Sequence, residues 1–290
     1  MDIKDRYKNC IAHSFSEGNL LLGDDKTALF DCGTIFCAAE TIKNVKNNLG
    51  GRPLDYIIAS HIHFDHMGAL PFFRLEWPNV KFVTTTVGAG VLLKATPRRV
   101  LREMSQDTAK MFAPQTLHLC DEYDEDAFRA DETVKDGDII ELGGVSVQVI
   151  ETPGHTRDSS SFYIPELRLL IVNETAGVVG EDGSIFPAYL VSLNDTLAAI
   201  NRCKAIDYKY LSVPHKGVAA EELANGYFDR AEKTVHEFRD LILSLYEKGV
   251  DEDGILKAYA EKFKISRPPD VIKANDYLTM MCTLRDCGKI

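Results

Sequence analysis

The chain has 290 residues, 45% hydrophobic and 27% charged, a composition that excludes disorder as its main state. Its 33 Lys+Arg against 44 Asp+Glu give a formal net charge of −11, which argues against a broad nucleic-acid-binding face. The start, MDIKDRYKNC, lacks the basic-then-apolar order of a secretory signal, and no apolar run is long enough to span a bilayer, so a cytoplasmic protein with no membrane partner is expected.

In chain order, short apolar runs joined by turns between Ile11 and Asp31 predict strands, with Gly23-Asp24-Asp25 as a hairpin turn. Residues 34–49 carry Ile35, Phe36, Ala38, Ala39, Ile42 and Val45 at helical spacing, and Gly50-Gly51 stops that helix. LDYIIAS (54–60) and PNVKFVTTT (78–86) read as buried strands. Residues 87–117 predict helices interrupted at Pro97 and Pro114, followed by a solvated acidic loop, DEYDEDAF (121–128). Strands resume with DIIELGG (138–144), VSVQVIET (145–152) and SSFYIPELRLLIVN (160–173). SLNDTLAAINRCKAID (192–207) is a helix with Ser192 or Asn194 as N-cap, and KYLSVP (209–214) is the strand after it. From 220 to 248, Ala224, Phe228, Ala231, Val235, Phe238, Ile242 and Leu245 recur every three or four positions, as on one helix face. Two further helical stretches follow, broken at SRPPD (266–270). An α/β domain over 1–217, with a helical insertion at about 87–117, and a helical extension over 218–290 are therefore expected.

The segment ASHIHFDHMGALPFF (59–73) follows an apolar strand and holds His61, His63, Asp65 and His66 within six residues. In extended backbone alternate side chains share a face, so His61 and His63 can address one centre. Asp65 and His66, where the strand turns into a loop, can address another. Imidazole and carboxylate suit zinc, and also iron or manganese. His155 (ETPGHTRDSS) and His215 (SVPHKGV) lie just past other strands, as does the acid Glu174 (LLIVNETAG). Strand ends are where an α/β core places its sites. The seven cysteines, Cys10, Cys32, Cys37, Cys120, Cys203, Cys282 and Cys287, form no C-x-x-C pair and read as reduced, mostly buried thiols. His13, His118 and His236 are isolated, and Arg98-Arg99 reads as a solvated helix face.

The order HxHxDH, strand-end Gly-His, strand-end acid, strand-end His resembles the metallo-β-lactamase superfamily over about residues 10–217. That resemblance implies an αββα sandwich and two divalent metal ions, zinc first, with iron or manganese as alternatives. It implies that His61, His63 and His155 hold one metal, that Asp65, His66 and His215 hold the other, and that Glu174 bridges them. Most of the family has Asp at that bridge, and the longer Glu174 is the departure here. Asp31, in ALFDCG, matches the family's aspartate behind the ligands. Within the superfamily, SHIHFDHMGALPFF, WPNVKF, VIETPGHTRDSSSFY and the helical tail are most similar to a thioesterase-like branch.

The expected activity is metal-dependent hydrolysis of a small-molecule ester or thioester, of acyl-CoA type, by water activated on the metals, with Asp65 also orienting that water or shuttling its proton. Lactonase and nuclease activities of the same fold, and a non-catalytic binding protein with a structural metal site, are the rival readings; the net charge disfavours the nuclease. The helices of 87–117 and the tail from 220 are expected to roof the site through Met104, Met111, Phe112 or Phe228. The same apolar helices could instead pack on one another or form a homodimer face.

Overall fold

The computed structural model describes residues 2–122, 124–262 and 270–290. Two six-stranded sheets stack face to face with helices outside both. After a short helix α1 (Ile3–Arg6), the first sheet runs β1 (Tyr7–Asn9), β2 (Asn19–Leu22), β3 (Thr27–Phe30), β4 (Tyr56–Ile58), β5 (Lys81–Thr85) and β6 (Glu132–Val134), in that spatial order. Strands β1 to β3 pair antiparallel, and β3 to β6 pair parallel through helical crossovers. Those crossovers are α2 (Ala38–Leu49), α3 (Phe64–Met67), α4 (Leu70–Glu76), α5 (Thr86–Leu92) and α6 (Ala95–Phe112).

The second sheet contains β7 (Ile139–Glu141), β8 (Ser146–Glu151), β9 (Ser160–Ile164) and β10 (Leu169–Ile171). A small hairpin, β11 (Val178–Val179) with β12 (Ile185–Phe186), precedes α7 (Leu193–Lys204). β13 (Tyr210–Val213) then joins β10 in parallel, and β14 (Gly217–Val218) closes the edge. The tail is α8 (Glu221–Ala224), α9 (Tyr227–Glu247), α10 (Glu252–Lys262) and α11 (Asp270–Asp286).

Three apolar layers hold these elements together. Between the sheets, Leu21, Phe30, Ile58 and Val83 meet Val147, Val149, Phe162 and Ile171, with the Phe30 and Phe162 rings 5.0 Å apart. Val45, Leu70, Phe73 and Leu101 pack the first helices on one outer face. Ile200, Tyr227, Val235, Phe238, Tyr259 and Met280 pack the last helices on the other. The mostly apolar strands, such as TALF and LLI, follow from this burial on both faces.

Several local expectations change. Pro97 does not interrupt a helix, because it lies in the first turn of α6, where a missing N–H costs nothing. The expected single helix over 220–248 breaks at Asn225-Gly226, with Gly226 at φ +64°. A 3-10 turn, Pro114–Asp121, leads into the acidic loop, which contains a second, Glu125–Phe128, and Asp126 pairs with Arg98 at 3.0 Å, so Arg98 is not merely solvated. Ser192 is the N-cap of α7, accepting from the Asp195 N–H. All seven cysteines are free thiols, five of them buried. SRPPD lies largely outside the described residues. No helix among the described residues is long and apolar enough to cross a membrane.

Phe238 is fully buried and stacks edge-on against Tyr189 and Tyr259, so it joins the tail helices to the second sheet's outer layer. Phe238→Ala should cost about 3–5 kcal/mol in denaturant unfolding. Leu75→Ala, at a residue 76% exposed, should stay within about 0.5 kcal/mol.

Candidate metal centre

Each candidate side chain hangs from backbone that leaves a strand. β4 stops at Ile58, and His61 and His63 follow it on chain outside the ladder, with His63 extended, as a segment just past a strand should be. Asp65 and His66 sit on the single turn of α3 rather than in a loop. That turn swings both side chains away from the course set by His61 and His63. His155 follows Gly154, whose φ of +144° is closed to other residues; a Cβ there would lie 2.1 Å from Thr196 Oγ1. Glu174 opens a 3-10 turn, Glu174–Ala176, after β10. His215 occupies the β13–β14 connection at φ +62°.

These seven residues converge. Ligand-type atoms of His61, His63 and His155 lie within 4.8 Å of one another, as do those of Asp65, His66 and His215, and those of His61, His66 and Glu174. Glu174 stands between the other two groups. Its Oε1 is 2.8 Å from His66 Nε2 and 3.0 Å from His215 Nε2, and its Oε2 is 3.6 Å from His61 Nδ1. Asp65 Oδ2 is 3.8 Å from His66 Nε2 and 3.9 Å from His215 Nε2.

The charge pattern fits a cation. Burial holds His61 neutral, and burial lowers His63 and His155 to about 4, leaving imidazoles in the form that binds metals. Burial also opposes charge on His66 and His215, yet carboxylates outweigh it: Glu174 and Asp31 raise His66, and Glu174 raises His215 to about 9. Burial would raise Glu174, but His66 and His61 hold it well below the usual carboxylate range.

His61 Nε2, His66 Nε2 and both Glu174 oxygens are buried without a properly aligned hydrogen bond, despite their short separations. Buried polar atoms in native proteins find partners, so orphans aimed at one small space fit a divalent ion. The seven residues therefore suit the metals that the sequence implies.

Outer contacts fix the rings. Asp31, at φ +58°, accepts from Ser60 N at 2.7 Å and Ser60 Oγ at 2.7 Å, and it lies 2.9 Å from His66 Nδ1. The Ala188 carbonyl accepts from His155 Nδ1 at 2.5 Å. Such contacts set the tautomer and leave the other nitrogen for a metal. Sequence reasoning missed two buried carboxylates that hold ligand backbone. Asp158 accepts the Ile62 N–H at 3.0 Å, between His61 and His63, and Glu17 accepts the His215 N–H at 2.6 Å. Their partners lie 96 and 198 residues away, so no local spacing could reveal them.

A cavity of about 350 Å³ opens beside Asp65, Glu174 and His215. Phe15, Phe64, Met104, Val179, Phe186 and Tyr259 give it apolar walls, and Thr279 of α11 joins them. Met104 and the tail thus roof the site as expected. Met111 instead faces solvent, and Phe112 packs its ring beside His13, Phe15 and Phe36, so it backs the Phe15 wall rather than lining the cavity itself. Phe228 is likewise not in the roof, since α9 turns it into the core beside Tyr208 and Tyr227.

The family model of the metallo-beta-lactamase superfamily matches residues 19–215. The chain belongs to that superfamily. It is 29% identical over 162 residues to coenzyme F420H(2) oxidase of Methanothermobacter marburgensis, covering 54% of this chain and 33% of the relative. It is 28% identical over 139 residues to acyl-coenzyme A thioesterase MBLAC2 of Gallus gallus, covering 47% of this chain and 45% of the relative. The chain thus spans between a third and a half of the length of these relatives. A solved metallo-beta-lactamase family protein, TTHA1429 from Thermus thermophilus, shares the fold with TM-score 0.64 at 18% identity, covering 97% of this chain and 94% of that one.

Zinc added to chelator-treated protein should raise its Tm, because an ion that binds only the folded state adds about 2.7 kcal/mol at a hundredfold excess over Kd. His61 belongs to two of the three ligand groups, so His61→Ala should lose most of that gain. Scanning calorimetry with and without zinc checks both outcomes.

Proposed function

We propose that the protein is a two-metal hydrolase of acyl thioesters. The observation that carries this reading is Glu174, a buried carboxylate placed between His61 on one side and His66 and His215 on the other. His61, His63 and His155 would hold one ion, Asp65, His66 and His215 the second, and Glu174 would touch both. Such ions, when bound, polarise a carbonyl and lower the pKa of water towards neutrality.

The chain's own residues supply the remainder. Asp65 is the more exposed acid of the centre, at 18% against 4% for Glu174, and it also lines the cavity. It is therefore placed to orient an attacking water and take its proton, besides holding metal. The Asp31 contact fixes the His66 ring, and Ala188 fixes that of His155. Phe15, Met104, Val179, Phe186 and Tyr259 would exclude water from the acyl part of a substrate and hold it beside the reacting carbonyl. An apolar acyl group is the part these walls suit, and the likeness to an acyl-coenzyme A thioesterase supports a thioester on the other side of the carbonyl.

Glu174→Ala should lose the second metal and lower thioester turnover together, by more than about 100-fold, since a metal ligand outweighs the 10–100-fold of an outer partner. Glu174→Asp should be milder, keeping the charge with shorter reach. Elemental analysis and thiol release on the same preparations test this. Unchanged stoichiometry in Glu174→Ala would remove the bridge. A fully metallated wild type inert to thioesters, esters and lactones would favour a non-catalytic binding protein.

A further inference from the structure

We infer that Glu17 is the positioning residue of the second metal subsite, setting the place of His215 through its backbone. The inference rests on the two-metal reading above.

His215 is one of three non-glycine residues with positive φ among those described, and at +62° it is strained unless its surroundings impose the conformation. Residues 16 and 17 impose it from both ends. Glu17 Oε2 accepts the His215 backbone N–H at 2.6 Å, and the Ser16 carbonyl accepts from the ring Nδ1 at 3.2 Å. That leaves Nε2 facing Glu174 Oε1 at 3.0 Å. The histidine is therefore held where its free nitrogen meets the bridging acid.

Glu17 is itself fixed. It is buried, and its Oε1 accepts from Asn19 Nδ2 at 2.5 Å and from Gly18 N at 3.1 Å. Ser16 Oγ accepts the Thr34 N–H at 3.1 Å, tying this segment to the turn after Asp31. Asp31 orients His66. Both imidazoles of the second subsite are thus referenced to one frame, residues 16–34, whereas the first subsite draws on Asp158 and Ala188. A two-oxygen acceptor suits this place because one oxygen serves the start of β2 and the other the β13–β14 turn.

Three variants of the full chain separate positioning from bulk stability. Each is stripped of metal and titrated with Co(II), with visible spectra and chelator competition giving the affinity of each site; circular dichroism verifies folding. Glu17→Ala removes the acceptor, and Glu17→Asp withdraws it by one methylene. Both should weaken the second metal about 10–100-fold, the range for lost outer partners, and leave the first within about threefold. Glu17→Gln should recover most of the second-site affinity and its spectrum, because its amide oxygen still accepts the His215 N–H. Its new NH₂ can donate to Asn19 Oδ1, which has no hydrogen-bond partner here, once that amide flips. Unchanged second-site affinity in whichever of Glu17→Ala and Glu17→Asp folds would overturn the inference, as would equal weakening of both metals. A wild type that binds fewer than two metals would instead remove the two-metal reading, and this role with it.

Discussion

Buried without an aligned hydrogen-bond donor, the Glu174 carboxylate needs positive charge beside it, and the organisation of this site follows from how it obtains that charge. The ion-pair partners of Glu174 are His61, His66 and His215. Imidazoles can answer a carboxylate by donating a neutral N–H, by carrying an extra proton, or by sharing a cation with it; with no aligned donor at either Glu174 oxygen, the last two remain. Without an ion, Glu174 draws protons onto His66 and His215 against the cost of burial. A divalent ion answers the same demand and also gives the orphaned nitrogens a partner. Ligand convergence and the need for a cation are therefore one constraint.

That constraint explains the elaborate support beneath the ligands. Imidazoles brought this close repel one another once charged and have little reason to assemble unaided. The fold forces them together with backbone that leaves strands at one end of the sandwich, where α/β proteins place their sites. Asp31, Asp158 and Glu17 then pin the irregular segments through N–H groups. Burial raises Asp158 and Glu17 from their ordinary values, a cost that their N–H donors partly offset. The tail helices add a different element: they cover the open side with Tyr259 and Thr279, turning a surface cluster into the wall of a cavity.

Much of this was legible in the sequence because its signals are local. His61, His63, Asp65 and His66 fall within six residues of one another, and strand–turn patterns announce where His155, Glu174 and His215 emerge. The αββα layering follows from strand and helix order, and the regular apolar stripe of α9 points to its docking. The reasons for convergence were less legible. His61 and His63 do share a centre, as alternation in extended chain implies, but β4 ends three residues before His61, so the Asp158 contact to Ile62 rather than a sheet ladder holds them. Pro97 and Asn225-Gly226 show that helix punctuation depends on position within the turn, which composition does not carry. Phe228 and Phe112 were assigned to the roof on apolar character alone, yet one lies in the core and the other packs behind Phe15. Glu17 and Asp158 act on residues far away in sequence, and nothing in SEGN or TRDSS distinguishes them from turn-forming acids.

The central claim is that Glu174 bridges two metals held by separate histidine groups. X-ray absorption at the metal edge of the fully zinc-loaded protein, compared with Glu174→Ala, tests it most directly. The account predicts metal–metal scattering at about 3.5–4 Å in the wild type and its disappearance in the variant. Isolated zinc ions with no metal–metal scattering in the fully loaded wild type, or a metal pair that survives in Glu174→Ala, would contradict it.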